Sequence, residues 1–187
     1  MKQNFFYDSG YLCYKPTQSD IQKATELFRV NYRNNNLNTK TVYNREESRI
    51  AGLIGEIAFG HLYENSEYVG KGNCPYDYVI YTPNVNITVD VKCKFRKCPP
   101  KPIFEASIYN YQAINKFFGE VGLYAFLSTS EGYNKVWFCG MITKTDLMCD
   151  PHTILWKKGQ VDPTNGKVFH EDTLSIFYKY LRPFELN

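Results

Sequence analysis

The sequence has few of the residues from which common metal and nucleotide sites are built. Its three histidines form no H-x-x-x-H pair, and its six cysteines form no C-x-x-C pair. The spacing therefore argues against a four-ligand zinc site. No glycine-rich phosphate loop and no G-x-S-x-G segment occurs either, which argues against nucleotide-binding and serine-hydrolase sites of those types. A structural zinc protein stays a weak alternative, with these residues as ligands: Cys93, Cys98, Cys149 and His152.

The sequence also lacks a long apolar run and a strong charge of one sign. No segment is long enough to span a membrane, and residues 1–6 do not resemble a secretion signal. We therefore expect no membrane partner, a cytoplasmic location and reduced cysteines. The net charge of +3 neither requires nor excludes a nucleic-acid partner.

What the sequence does contain is typical of a folded protein. It has 187 residues, of which 43% are hydrophobic and 22% charged, which is enough for one sizeable core. Aromatic residues make up 17%. Aromatic rings build cores, and exposed ones can also stack on nucleic-acid bases. We predict a single domain over residues 1–187, with a core at about 44–142, an N-terminal helix and a loop-rich C-terminal extension.

The pattern of apolar residues predicts alternating helices and strands. Helices are predicted at 19–32, where Thr17 or Ser19 provides the N-cap, and at 44–63, where Asn44 does. Two shorter helices are predicted at 111–118 and 144–149. The predicted strands are 75–81, 87–95, 104–108, 122–128, 136–142 and 174–180. This order indicates an α/β protein with a central mixed β-sheet flanked by helices.

Three segments combine into a candidate site. Glu56 lies on the second predicted helix between Gly52 and Gly60, and glycines there favour close approach of another backbone or a metal site. In a strand, residues two apart share a face, so Asp90 and Lys92 emerge side by side. Asp77 lies on the preceding strand.

If those two strands pair, Asp77 approaches Asp90, and two carboxylates at short range need a positive counter-charge. Magnesium, an oxygen-preferring cation, would supply it. Each residue alone also has an ordinary explanation as a surface charge. The order of the segments together favours a catalytic site.

The segments Gly55-Glu56-Ile57-Ala58, Pro75-Tyr76-Asp77 and Val89-Asp90-Val91-Lys92 resemble the PD-(D/E)XK nuclease superfamily, and the chain is similar to small members encoded by phages. The resemblance implies a restriction-endonuclease-like core and metal-dependent hydrolysis of DNA, in the host cytoplasm if the protein is phage-encoded. Tyr76 separates the proline from the aspartate, which departs from the family pattern.

The resemblance also implies roles for individual residues. Asp77, Asp90 and the Val91 carbonyl would bind Mg²⁺, for which Mn²⁺ can substitute, and Glu56 would join directly or through water. Lys92 would act as the catalytic base or as a charge stabiliser. The predicted nucleic-acid contacts are Lys94, Arg96, Lys97 and Gln112. A homodimer is an option because nucleases that cut both strands often dimerise. The alternative function is a catalytically inactive nucleic-acid-binding module on the same fold.

Overall fold

The computed structural model describes residues 2–32, 45–70, 74–115 and 120–185. The helices are α1 Gln18–Tyr32, α2 Arg45–Leu62, α3 Asn110–Ile114 and α4 Lys144–Cys149. The strands are β1 Phe5–Asp8, β2 Tyr11–Tyr14, β3 Ser66–Tyr68, β4 Tyr78–Tyr81, β5 Asn86–Phe95, β6 Glu105–Tyr109, β7 Leu123–Thr129, β8 Val136–Thr143, β9 Ile154–Trp156 and β10 Thr173–Phe177.

A seven-stranded sheet with the order β1-β2-β8-β7-β5-β4-β3 forms the centre of the molecule. Its neighbouring strands run antiparallel except for β5 and β7, which are parallel. The sheet is therefore mixed, and the predicted α/β class with a central mixed sheet flanked by helices is confirmed. A second sheet contains three strands in the order β6-β10-β9.

The central sheet has a hydrophobic core on each face. On one face, Val89 and Val91 of β5 pack with buried residues of α1 and α2, including Ala24 and Ile54. The other core joins the central sheet to β6 and β10 through residues such as Phe126 and Ile176. Alternation along β5 places its odd-numbered residues toward the helices. Its even-numbered residues, which include both predicted site residues of this strand, therefore face the second sheet.

Helix α2 lies directly against β5 because a glycine stands at the contact. A Cβ built on Gly55 would lie 2.4 Å from Cys93 Cβ and 3.0 Å from Cys93 Sγ. A Cβ on Gly60 would lie 2.7 Å from the Tyr78 hydroxyl, whereas one on Gly52 would meet nothing within 4 Å. The close approach of another backbone that was predicted at Gly52 and Gly60 is therefore not found: Gly60 meets a side-chain hydroxyl, Gly52 has no neighbour within 4 Å, and the tightest contact is at Gly55.

The N-terminus of α1 has the capping predicted for Thr17. Thr17 Oγ1 accepts a hydrogen bond from the Asp20 N–H at 3.2 Å, and the Asp20 carboxylate accepts one from the Thr17 N–H at 2.8 Å. These reciprocal bonds form a capping box. The predicted cap of α2, Asn44, lies outside the described residues, as does the end of the predicted helix 111–118.

Several strands differ from the sequence-based expectation. Strands β1, β2, β3 and β9 were not predicted, and the segment 104–108, predicted as the third strand, belongs to the second sheet as β6. The β1–β2 hairpin turns at Ser9 and Gly10, whose φ angles are 55° and 82°, as a tight hairpin turn requires. No helix in the described ranges is both long and apolar enough to cross a membrane.

Candidate metal centre

Asp77 immediately precedes β4, at the end of the β4–β5 pairing. The Asp77 N–H donates to the Val89 carbonyl at 2.9 Å, and the strand pairing begins with Tyr78 opposite Val89. The next hydrogen bond along β5 is made by a side chain and not by the β4 backbone: Asp77 Oδ2 accepts from the Val91 N–H at 2.8 Å. The Asp77 carboxyl group is thereby fixed beside the peptide that follows Asp90.

Asp90 and Lys92 share the face of β5 that looks away from α2. Lys92 Nζ lies 2.7 Å from Asp90 Oδ2, and Asp90 is only 4% exposed. Asp90 Oδ2 is buried, and the Lys92 ammonium group is its close cationic partner. Asp77 lies close enough to hydrogen-bond Asp90. The two carboxyl groups therefore converge, as the strand-pairing argument predicted.

Glu56 reaches the same region from α2. Its Oε2 accepts a hydrogen bond from the Tyr68 hydroxyl at 3.0 Å, and its backbone carbonyl accepts one from the Tyr78 hydroxyl at 2.8 Å. Glu56 is half-buried, and its charge acts on Asp77 and on Asp90.

Burial raises the pKa of all three carboxyl groups. Desolvation, with smaller repulsion from Asp90, raises the pKa of Glu56 to about 7. The pKa of Asp77 lies well above its usual value, because desolvation is joined by repulsion from Glu56 and Asp90. Desolvation also raises the pKa of Asp90, although Lys92 opposes it. Lys92 acts on all three carboxyl groups, and an additional cation would relieve their repulsion.

The donor set fits Mg²⁺ better than zinc. Within the described residues, no three His, Cys, Asp or Glu side chains are arranged to hold a metal ion, so Glu56 does not complete a three-carboxylate ligand set with Asp77 and Asp90. The four alternative zinc ligands are thus not gathered: Cys98 and Cys149 are exposed, and the His152 ring stacks on Tyr180 with centroids 3.9 Å apart. Mg²⁺ requires fewer protein ligands than a zinc site, because it is usually held by one or two carboxylates and keeps several water molecules. Asp77 and Asp90 are of the type and number that such a site needs, and all four proposed ligands, Asp77, Asp90, Val91 and Glu56, stay predictions.

The predicted nucleic-acid contacts lie in different surroundings. Lys94 donates to the Glu105 carbonyl at 3.0 Å and to Ser107 Oγ at 2.7 Å. Gln112 and Lys94 both line a cleft between β5 and the second sheet. Lys97 is exposed.

Arg96 is engaged inside the protein. Its guanidinium group lies over the Phe104 ring and donates to the Tyr178 hydroxyl at 3.1 Å. All four residues stay predictions as DNA contacts, but Arg96 has a structural role that the sequence did not indicate.

The structure adds residues to the site that sequence reasoning missed. Tyr68 holds the Glu56 carboxylate, and Tyr78 holds the Glu56 backbone. Lys167, from the C-terminal extension, lines the same cleft as Lys92 and Lys94. The two tyrosines carried no motif, and Lys167 is 75 positions after Lys92 in the chain. The sequence is rich in tyrosine, but this abundance does not indicate which tyrosines belong to the site.

Comparison with known proteins identifies no family for this chain. No protein-family model matches it. No curated protein matches its sequence either. The resemblance to PD-(D/E)XK nucleases therefore rests on the residues described above and stays a prediction.

Proposed function

We propose that the protein is a Mg²⁺-dependent nuclease that hydrolyses phosphodiester bonds in DNA. The observation that carries this proposal is the convergence of three desolvated carboxyl groups, Asp77, Asp90 and Glu56, around the Lys92 ammonium group. Carboxyl groups at short range repel one another when they are ionised. Three of them that share one ammonium group form an arrangement that a further cation would stabilise.

Each residue of the site has a role in this proposal. Asp77 and Asp90, with the Val91 carbonyl, would hold Mg²⁺, which when bound supplies a Lewis acid for a phosphoryl oxygen. The Val91 N–H orients Asp77, and the Tyr68 hydroxyl orients Glu56. The ion pair with Asp90 keeps the Lys92 ammonium group beside the carboxylates, where it would offset negative charge that develops at phosphorus.

The arrangement of elements also supports the finer fold and the cellular setting. A helix carrying Glu56, a strand start carrying Asp77 and a strand carrying Asp90 and Lys92 follow one another, as in a restriction-endonuclease-like core. All six cysteines are free, which supports a reducing compartment such as the cytoplasm. A homodimer would be needed only for cutting both strands of a duplex, and sedimentation of the purified chain measures it.

The first experiment measures DNA cleavage. Wild-type protein is incubated with single-stranded and duplex DNA in Mg²⁺, in Mn²⁺ and in EDTA. We expect cleavage in either metal and none in EDTA. Asp90→Asn and Lys92→Met should each reduce the rate about 100-fold or more, as loss of a charged transition-state contact does. Lys15→Met, which changes an exposed lysine on the β2–α1 connection, is the matched control and should cleave normally.

A second experiment tests the cation site without relying on activity. Asp77→Asn keeps an oxygen that can accept a hydrogen bond from the Val91 N–H. It removes a carboxyl group whose negative charge is unfavourable in the folded protein beside Glu56 and Asp90. We therefore expect the metal-free variant to be more stable than the wild type by about 1–3 kcal/mol. Mg²⁺ or Mn²⁺ should raise the melting temperature of the wild type but not of the variant.

The alternative, a binding module without catalysis, predicts different results. It predicts salt-dependent DNA binding with no cleavage in any metal, and no Mn²⁺ heat in calorimetric titration. Cleavage that survives in both Asp90→Asn and Lys92→Met would show that the proposed site is not the active centre.

A further inference from the structure

The cleft between β5 and the second sheet begins at the candidate metal centre. Lys92 belongs to the ion pair with Asp90 and also lines this cleft, whose volume is about 370 Å³. Strand β6, the start of α3 and the segment before β10 form the remaining walls. A molecule that fills the cleft would therefore adjoin any group held at the metal centre.

The cleft walls carry positive charge. Lys92, Lys94 and Lys167 line it, and no Asp or Glu occurs among the described lining residues. Two of the ammonium donors of Lys94 are held by Glu105 and Ser107 on β6, which fixes its position on the wall. The Lys167 ammonium group lies 4.4 Å from the centre of the Phe169 ring. Desolvation, joined by repulsion from Arg96 and Lys167, lowers the pKa of Lys94 to about 7, and desolvation also lowers the pKa of Lys167. A phosphate placed between these amines would favour their charged forms.

Two exposed tyrosines add aromatic surface to the same cleft. Tyr109 ends β6 and Tyr111 lies in the first turn of α3, and the two are 47% and 46% exposed. Their rings stack on each other with centroids 5.6 Å apart and planes 15° apart. Exposed aromatic rings beside cationic side chains are the surface on which unpaired nucleic-acid bases stack.

The size of the cleft limits what it can take. The cleft volume of about 370 Å³ lies at the small end of pockets that enclose one small-molecule ligand, roughly 300–1,000 Å³. One nucleotide with its base unstacked is of that size, whereas a paired helix would meet only the rim of the cleft. The combination of cations, aromatic rings and small size is selective for an unpaired strand.

We propose that this cleft binds an unpaired nucleotide next to the phosphate cleaved at the metal centre, so that the substrate is single-stranded DNA. This inference rests on the proposed nuclease function for its statement about cleavage. The binding part stands separately, because the cleft and its tyrosines are distinct from Asp77 and Asp90. Tyr109 and Tyr111 supply the stacking surface, and Lys94 and Lys167 contact the phosphates.

The test measures binding without cleavage. A fluorescently labelled 12-nucleotide strand and the same sequence in a duplex are titrated with protein in EDTA, and anisotropy is recorded. We expect the single strand to bind at least tenfold more tightly than the duplex. In the Tyr109→Ala/Tyr111→Ala double variant, single-strand affinity should fall about tenfold or more, as expected on losing a base–aromatic stack, with duplex affinity unchanged.

The controls separate stacking from other effects. Tyr7→Ala, which removes a tyrosine that is 64% exposed on β1, should bind like the wild type. The Tyr109→Phe/Tyr111→Phe variant keeps the rings and should retain the single-strand preference. Thermal melting of each variant confirms that it is folded, which we expect because the replaced rings are largely exposed.

The outcomes distinguish this inference from the proposed function. A tyrosine-dependent preference for single strands supports the cleft assignment even if no metal produces cleavage, in which case the nuclease proposal alone fails. Equal affinity for duplex and single strand would overturn the cleft assignment, while metal-dependent cleavage could still stand. Unchanged single-strand binding in the double alanine variant would overturn it equally.

Discussion

At the scale of single residues, the protein contains two kinds of buried carboxyl group. Asp20 is surrounded by donors, because it accepts hydrogen bonds from Tyr14 at 2.8 Å, from Thr17 at 2.8 Å and from His61 at 3.0 Å. Asp90 is buried and Asp77 is half-buried, and the two lie beside each other with one partner apiece, Lys92 for Asp90 and the Val91 N–H for Asp77. Hydrogen bonds to the charged form lower a carboxyl pKa, whereas desolvation and like charge raise it.

Asp20 gives a prediction about stability in acid. Desolvation raises its pKa, but the hydrogen bonds from His61, Thr17 and Tyr14 outweigh this and lower it to about 2. Between pH 4 and 2 the unfolded chain binds more protons at this residue than the native state does. The contribution of Asp20, about 1–2 kcal/mol, is therefore present above pH 4 and lost as the pH falls to 2.

Urea denaturation of wild type and Asp20→Asn at a series of pH values from 2 to 7 measures this contribution. The variant should be less stable at pH 7, and the difference between the two proteins should shrink as the pH approaches 2. A difference that stays constant over this range would show that Asp20 does not carry the predicted linkage.

The site residues could be predicted as far as they follow the period of a strand. Asp90 and Lys92 share a face because they are two apart, and Asp77 approaches them because neighbouring strands pair. Tyr68 and Lys167 could not be predicted, because their positions depend on contacts between distant parts of the chain. Arg96 was predicted to contact DNA, because a sequence does not show whether an arginine makes its contacts inside the protein or at the surface.

At the scale of elements, the fit of α2 on β5 determines where Glu56 lies. Gly55 precedes Glu56, and a Cβ there would overlap Cys93. Gly55→Ala should therefore destabilise the protein by about 1–3 kcal/mol through overpacking, despite the better helix propensity of alanine. Gly52→Ala is the matched control on the same helix. Its Cβ would meet nothing within 4 Å, so we expect it to stabilise by up to about 1 kcal/mol.

Chemical denaturation of both glycine variants provides the comparison. The change in the free energy of unfolding should have opposite signs in the two variants. Metal affinity should fall only in Gly55→Ala, because the helix must shift away from the sheet there. If both variants gained stability, the close contact of α2 with β5 would not restrict this position.

Elements with strong local signals were predicted well. Helix α4 occupies the predicted residues 144–149, and its N-cap is Thr143, whose hydroxyl accepts from the Asp146 N–H. The ten-residue strand β5 differs from its prediction by one residue. The three-residue strands β3 and β9 are too short to show a period. Strand β6 differs from its prediction by one residue at each end, but its place in the second sheet has no local signal, because its partner β10 lies more than 60 residues further along the chain.

At the scale of the whole molecule, Arg96 connects the two sheets. It leaves the end of β5 and its guanidinium group lies 4.5 Å from the centre of the Phe104 ring and 5.5 Å from that of Tyr178. It also donates to Ser128 on the central sheet and to the Glu105 carbonyl on the second sheet. The second sheet forms a wall of the proposed nucleotide cleft, so this connection supports the shape of the cleft.

Arg96→Met and Lys97→Met therefore should have different effects, although the two residues are adjacent. Loss of the Arg96 contacts should lower the free energy of unfolding by about 2–4 kcal/mol, because buried hydrogen-bond acceptors and two aromatic faces lose a cation. Lys97 is exposed, so its substitution should leave stability within about 0.5 kcal/mol. Instead it should reduce the salt dependence of single-strand binding by roughly 0.7 in log–log slope, the value for one phosphate contact. Urea denaturation measures the free energy of unfolding, and anisotropy titrations at 50–200 mM salt measure the salt dependence of binding. If Arg96→Met had wild-type stability and a reduced salt dependence, Arg96 would instead be a phosphate contact.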